Sequence, residues 1–303
     1  MPATLMNPST TKTSDPMRRA IAWIAVIGST LPEVVWKESG HQVSFSFVAI
    51  ESLVIVGAAL AVARFARLRS LSRFLFAIAA LNFAWSFVTP GLAQTDGVRD
   101  IASNVSWGAR FFIARALTLS GAVLVSLTLI GSGLTRRDLF LKPGNLAAPA
   151  QPLPFLGLRK PVRWTLLGPG LLLVFALALV PFLYFTVHPN FAASNRILHF
   201  LPWMIAVSAL NAASEEYQYR NVLLAHLGNL FSVSEAAVLT AAYFGLGHYY
   251  GQPAGSLGVL MAGFAGWIWA RSMIETRGYF WAFTTHMVQD MIIFAFLSTG
   301  AVK

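Results

Sequence analysis

The 303-residue chain contains no cysteine, which excludes disulfides, thiolate metal sites and a cysteine nucleophile. Charge is scarce as well. Only 11% of the residues are Asp, Glu, Lys or Arg, where a soluble domain carries about 25%. With 56% hydrophobic residues and a mean hydropathy of +0.63, this deficit excludes an ordinary soluble globule. It leaves an all-α, polytopic transmembrane helical bundle. Acidic residues are the scarcer sign, 12 against 22 Lys and Arg. The excess of positive charge does not point to nucleic acid. Arg64, Arg67, Arg69 and Arg73 form one cluster, and Arg136, Arg137, Lys142, Arg159, Lys160 and Arg163 another, both between apolar runs. Positive residues so placed mark cytoplasmic loops and suit anionic lipid headgroups.

Runs of about 20 apolar residues define spans. They fall near 20–36, 43–65, 73–92, 111–134, 164–187, 198–225, 234–250, 254–272 and 278–298, giving eight or nine helices. The first is the weakest, because Pro32 and Glu33 interrupt its end. Residues 1–19 are polar, with Pro2, Pro8 and Pro16, and read as a disordered cytoplasmic tail. The apolar run after them lacks a small-residue cleavage site and reads as a retained helix. Residues 20–140 hold the N-terminal helices. Residues 141–163, with five prolines, cannot be one helix and read as a cytoplasmic linker. The C-terminal helices occupy 164–303. No internal repeat or strand pattern competes. Loop charge puts the N-terminus in the cytoplasm, and short loops fit a bacterial inner membrane.

Intramembrane ionisable groups concentrate in three stretches, "EEYQYR" (215–220), "FGLGH" (244–248) and "HMVQD" (286–290). Glu216 and Arg220 are four apart, with the acid first, so they pair on one helix face. Glu215 is rotated about 100° from Glu216 and stays free to point elsewhere. His286 and Asp290 also share a face. With a turn near 231–232, Glu215 and His248 are equidistant from it and meet at one membrane level. A Glu, two His and an Asp then converge on one cavity. A carboxylate kept from bulk water is a competent general base near neutral pH, and a histidine beside it can orient water. Donors from another helix would stabilise the oxyanion formed when water adds to a carbonyl. Also absent are Gly-x-Ser-Gly, Gly-x-Ser-x-Gly, His-Glu-x-x-His and Gly-x-Gly-Asp, the serine, zinc and aspartyl signatures expected of other intramembrane proteases.

At these residues the sequence resembles the CAAX protease and bacteriocin-processing family, the ABI family of intramembrane glutamic endopeptidases. That family carries Glu-Glu-x-x-x-Arg, Phe-x-x-x-His and His-x-x-x-Asn/Asp in this order. The resemblance covers about 198–298. It implies that Glu215 activates water with the help of His248, that His286 and Asp290 form the oxyanion side, and that Glu216 and Arg220 hold the first motif. Phe244 reads as packing beneath the site. Eukaryotic prenyl-protein endopeptidases of the family have Asn where this chain has Asp290. An ionised Asp would repel an oxyanion, so Asp290 is expected either to be protonated or to orient His286.

The function implied is hydrolysis of a peptide bond in a membrane-anchored protein or peptide precursor, lipidated or helical, without a cofactor. Three other readings compete. Zinc would use Glu215, His248 and His286. A non-catalytic scaffold or immunity protein of the same family would use the charges only as an ion-pair network. A transporter would line a path through both halves with charge, whereas here the charges cluster in one. Glu51 and Arg115 read as structural, a pair across helices, with no spacing that links either to the site. Trp267, Trp269 and Trp281 read as packing or headgroup anchors, and Gly245, Gly247, Gly263 and Gly266 as sites of close helix approach.

Overall fold

A computed structural model describes residues 15–189, 194–228 and 230–300. The expected tail lies outside the described residues up to residue 14, as does Lys303; its residues 16–19 are helical rather than disordered, because Asp15 caps a helix there. Apolar runs become helices because hydrocarbon offers backbone amides no partner outside their own segment.

The first span is broken where its proline sits. Helix α1 (Pro16–Gly28) is capped by Asp15, which accepts the Met17 amide at 3.0 Å, and α2 (Leu31–Glu38) restarts after Thr30. Pro32 lies in the first turn of α2, where a missing amide costs nothing. Helix α3 (Phe45–Ala63) returns, and α4 (Ser72–Phe83) continues through a π-helical turn, Ala84–Val88, into α5 (Thr89–Ala93). A short α6 (Asp96–Ser103) precedes α7 (Trp107–Leu117) and α8 (Leu119–Leu127).

In the second half, α9 (Trp164–Val187) has the bounds expected from hydropathy. Helix α10 (Ser194–Glu216) runs through a second π-helical turn, Tyr217–Val222, into α11 (Leu223–Leu227). Ser232 caps α12 (Val233–Gly247), and α13 (Gly255–Thr276) and α14 (Phe280–Gly300) complete the chain. The protein is thus an all-α helical bundle with seven helical segments long and apolar enough to cross a membrane among the described residues. The other two expected positions are α10–α11 and α12. Asn211, Ser214, Glu215 and Glu216 dilute the hydropathy of the first, and α12, at 15 residues, is short.

Helix α10 lies along α14, α12 along α13, and α14 also against α9. The two halves are in contact. Helix α7 packs on α10, α8 on the second π-turn, α4 on α11 and α1 on α12. Of the glycines expected to permit close approach, Gly245 brings backbone against backbone: a Cβ there would lie 2.6 Å from the Val259 carbonyl oxygen of α13. Gly247 does not, because a Cβ there would meet nothing within 4 Å.

The Pro-rich 141–163 segment is not a loose tether. It forms a small antiparallel ribbon, β1 (Pro149–Ala150) with β2 (Val162–Arg163), which the sequence pattern did not suggest. It is also stitched to the ends of α13 and α14. The Asn145 amide donates to the Thr276 carbonyl (2.7 Å), the Tyr279 amide to the Lys142 carbonyl (3.0 Å), and Trp281 Nε1 to the Leu146 carbonyl (3.1 Å). Trp164 Nε1 donates to Glu275 (2.8 Å), which also pairs with Arg271 (2.5 Å).

Gly245→Val is expected to force α12 from α13 and cost about 1–3 kcal/mol, the usual penalty for overpacking. Thermal unfolding in detergent checks this, with Gly247→Val as the near-neutral comparison.

Candidate active site

The second π-turn begins directly after Glu216, within the "EEYQYR" stretch. A π-turn adds a residue to the helical repeat and re-aims the side chains beyond it. Here it sends successive side chains to separate partners. Tyr217 shares a hydrogen bond with the Ser126 hydroxyl of α8 (2.7 Å). Gln218 donates to Ser214 (2.7 Å) and to the Thr118 carbonyl (3.2 Å), and accepts from Trp85 Nε1 (2.9 Å). Asn221 donates to the Leu139 carbonyl.

Arg220 is fully buried and pairs with Glu216, Nη1 to Oε1 at 3.2 Å. The guanidinium lies over the Phe244 ring at 3.8 Å and near Trp269 at 4.9 Å, a desolvated cation–π arrangement. Gly266 makes room for it, since a Cβ there would lie 2.5 Å from Arg220 Nη2. Glu216 Oε1 also accepts from His286 Nδ1 at 2.8 Å. The imidazole stacks on Trp269, ring centroids 4.1 Å apart and planes within 11°. His286 is thus fixed by one hydrogen bond and one stacked face.

Its other nitrogen, Nε2, is aimed between two carboxylates, Glu215 Oε2 at 3.5 Å and Asp290 Oδ2 at 3.8 Å. Glu215 Oε2 is buried and has no hydrogen-bond partner. Asp290 Oδ2 accepts from Asn211 Nδ2 at 2.9 Å, and Asn211 Oδ1 in turn accepts from Arg115 Nη1 at 3.3 Å. A chain of polar contacts therefore runs from α7 through α10 to α14.

His248 caps the end of α12. Its Nδ1 is 2.9 Å from the Phe244 carbonyl oxygen. A carbonyl only accepts, so Nδ1 carries the proton and Nε2 of the neutral ring keeps a free lone pair. The His248 ring lies 4.1 Å from the Phe244 ring, and Phe244 is 6.1 Å from His286. His248, His286 and Asp290 line a cavity of about 270 Å³ together with Phe244 and Trp269. The rest of the lining is largely apolar, with Val174 and Phe175 from α9 and Phe264 from α13, and with Gln252 and Pro253 from the turn after α12.

Five of the residues singled out from sequence are therefore in one contact network, Glu215, Glu216, Arg220, His286 and Asp290, and Phe244 lies beneath it. His248 borders the same cavity but makes no hydrogen bond to Glu215. The expected Glu51–Arg115 pair does not form. Glu51 Oε2 accepts from Asn82 (2.9 Å), and Arg115 serves Asn211 beside the site. Asn211 escaped the sequence reading, and Trp269, read there as packing or a headgroup anchor, in fact stacks on His286. Asn211 stands one turn before Glu215, a spacing that placed it on the same face, whereas nothing in the sequence says which of Trp267, Trp269 and Trp281 meets the site. Of the groups in the zinc reading, Glu215 and His286 adjoin while His248 Nδ1 faces a carbonyl. Among the described residues no group of three or more His, Asp or Glu is arranged to hold a metal ion.

The fold and the site define a class: an integral membrane protein with a buried acid–imidazole cluster beside an apolar cavity. Residues 197–292 match the model of the Rce1-like family, described as type II CAAX prenyl endopeptidase Rce1-like. The matched stretch contains all three motifs, so the resemblance to the CAAX protease family is borne out, and at that level the chain is similar to membrane proteases that act on membrane-anchored proteins. No curated protein and no solved structure matches the chain.

Glu216→Ala leaves the Arg220 guanidinium buried without its anion and is expected to cost about 3–5 kcal/mol. The double substitution Glu216→Gln with Arg220→Met removes both charges and is expected to regain most of that loss. Thermal unfolding of the three proteins in detergent measures the difference.

Proposed function

We propose that the protein is an intramembrane endopeptidase in which Glu215 activates water for attack on a peptide carbonyl. The observation that carries this reading is the unpartnered Glu215 Oε2, buried 3.5 Å from a histidine that is itself fixed by Glu216 and Trp269. A carboxylate left without a donor in so enclosed a place is costly unless a ligand or water engages it during turnover. The partners that orient His286 through Glu216 and Asp290 through Asn211 fit a base held ready beside them.

In this mechanism the substrate's apolar groups occupy the cavity walled by Val174, Phe175 and Phe264, which suits a membrane-anchored, lipidated or helical chain. Glu215 takes a proton from water while the water oxygen bonds to the carbonyl carbon. His248 Nε2, with its free lone pair, orients that water. The carbonyl electron pair moves onto its oxygen, and His286, as an imidazolium whose Nδ1–H is held by Glu216, presents its Nε2–H to it. Collapse of the tetrahedral adduct breaks the C–N bond, and Glu215 returns its proton to the leaving amine. Asp290, held by Asn211, orients His286 in this account, which needs no nucleophilic side chain. Preorganised groups of this kind supply most of the rate in such reactions.

Glu215→Gln keeps the shape and removes the base. It is expected to lower cleavage of membrane-anchored prenylated and unprenylated peptides by roughly a hundredfold or more, with the melting temperature preserved. Cleavage assays in liposomes check it, with metal content measured on the same samples. Undiminished cleavage by Glu215→Gln would reject the base assignment, and a chelator-sensitive activity that follows bound zinc would favour the metal reading.

A further inference from the structure

Hydrolysis inside a bilayer needs water as much as substrate, and the cavity beside His286 is mostly apolar. A second cavity, of about 200 Å³, lies on the opposite side of the 246–250 segment. Its lining is of another character. Glu33, Lys37, Asn82 and Ser86 come from the N-terminal half, and Tyr219 and Tyr243 from the site-bearing helices. It adjoins a shallower depression that shares Glu33, Lys37, Trp85 and Ser86 and extends to the 40–43 turn between α2 and α3. The polar groups form a ladder. Lys37 Nζ donates to Glu33 Oε1 (2.6 Å), the Ser86 hydroxyl donates to Glu33 Oε2 (2.7 Å), and Asn82 Oδ1 lies 3.3 Å from Ser86. An acid, a lysine and an asparagine at membrane depth are expensive unless they are paired or face water.

The length of α12 adds an independent argument. Fifteen residues reach about 22 Å, short of the roughly 30 Å of hydrocarbon. The irregular backbone that follows, 248–254, therefore lies at bilayer depth, where it is tolerated only against protein or a wet cavity. That segment faces the apolar cavity through His248, Gln252 and Pro253, and the polar one through Tyr250, beside Leu246 and Gly247 at the end of α12. At the inner end of the polar cavity stands Tyr219, four residues beyond Glu215 and packed on Tyr243 and Phe244 at 5.5 and 5.3 Å. Neither tyrosine hydroxyl has a hydrogen-bond partner among the described residues, and both side chains line this cavity, so each can take water as its partner.

We propose that the cavity between α2, α4 and the motif helices is the water path to Glu215, separate from the apolar cavity that receives substrate. The proposal rests on the reading of Glu215 as the base. It gives the N-terminal half, which the family match does not cover, a part in the reaction. Water enters beside the 40–43 turn, passes the Glu33–Ser86–Asn82 ladder, and reaches the site past Tyr219.

The absence of native cysteine makes the path directly testable in full-length protein in liposomes. Ser86→Cys and Gly247→Cys are expected to react with a charged, membrane-impermeant methanethiosulfonate roughly tenfold or more faster than Leu173→Cys, because a thiol forms its reactive thiolate only in water. Leu173 lies exposed on the outer side of α9. The reagent is expected to work only from the face that carries the 40–43 turn, and equally in a Glu215→Gln background, so this arm does not depend on catalysis. Gly247→Leu places a side chain in open space. It is expected to slow cleavage of a membrane-anchored prenylated peptide by roughly tenfold, with melting temperature and peptide photocrosslinking unchanged and Gly247→Ala near wild type. Cysteines unreactive from that face, or wild-type cleavage by a folded Gly247→Leu protein, would overturn the water path and leave the role of Glu215 intact. Wild-type cleavage by Glu215→Gln would instead overturn the catalytic reading.

Discussion

A guanidinium sealed among apolar helices needs an anion in contact with it, and the site is arranged around that requirement. Arg220 is wholly buried, and Glu216, one turn before it, answers its charge. The remaining faces of the guanidinium are covered by the Phe244 and Trp269 rings, and Gly266 leaves the space it occupies. Because Glu216 also holds His286, the same pair that neutralises the buried cation sets the imidazole. Glu215 is the acid left over, and its freedom depends on Glu216 being spent. Two adjacent acids in one motif thus have different physical roles, one structural and one chemical in the account proposed here.

The N-terminal half is more than a set of accompanying spans. It supplies Arg115 to Asn211 and so steadies Asp290, it supplies Thr118 and Trp85 to Gln218, and it supplies Ser126 to Tyr217. Polar contacts between helices in a membrane replace the hydrophobic driving force that lipid does not provide. Those to Tyr217 and Gln218 fall on the π-turn, where the helix departs from regularity and needs outside partners. The linker acts similarly from one end, holding α13 and α14 through hydrogen bonds at 276–281.

How much of this was legible in the sequence follows from the range of each interaction. Spans were readable because hydropathy is local, and α9 fell on its expected residues. The Glu216–Arg220 pair was readable because four residues make one turn. What required the third dimension was every contact between distant helices: Arg115 with Asn211, Trp269 on His286, and the linker against α13 and α14. The expected Glu51–Arg115 pairing failed for that reason, since complementary charge on two helices does not say which faces meet. The prolines of 141–163 correctly excluded a helix but carried no sign of the ribbon that forms there. The short α12 was read as longer, 234–250, because apolar and aromatic residues continue past the point where His248 turns the backbone.

The central claim is that Glu215 acts on water and never bonds to substrate. A single turnover on a prenylated membrane-anchored peptide in heavy-oxygen water, followed by mass spectrometry of both product and protein, tests it most directly. The account predicts the label only in the new carboxylate of the product, with the 211–220 segment unlabelled. Label appearing in Glu215 would mean a covalent acyl intermediate on that side chain, and would contradict it.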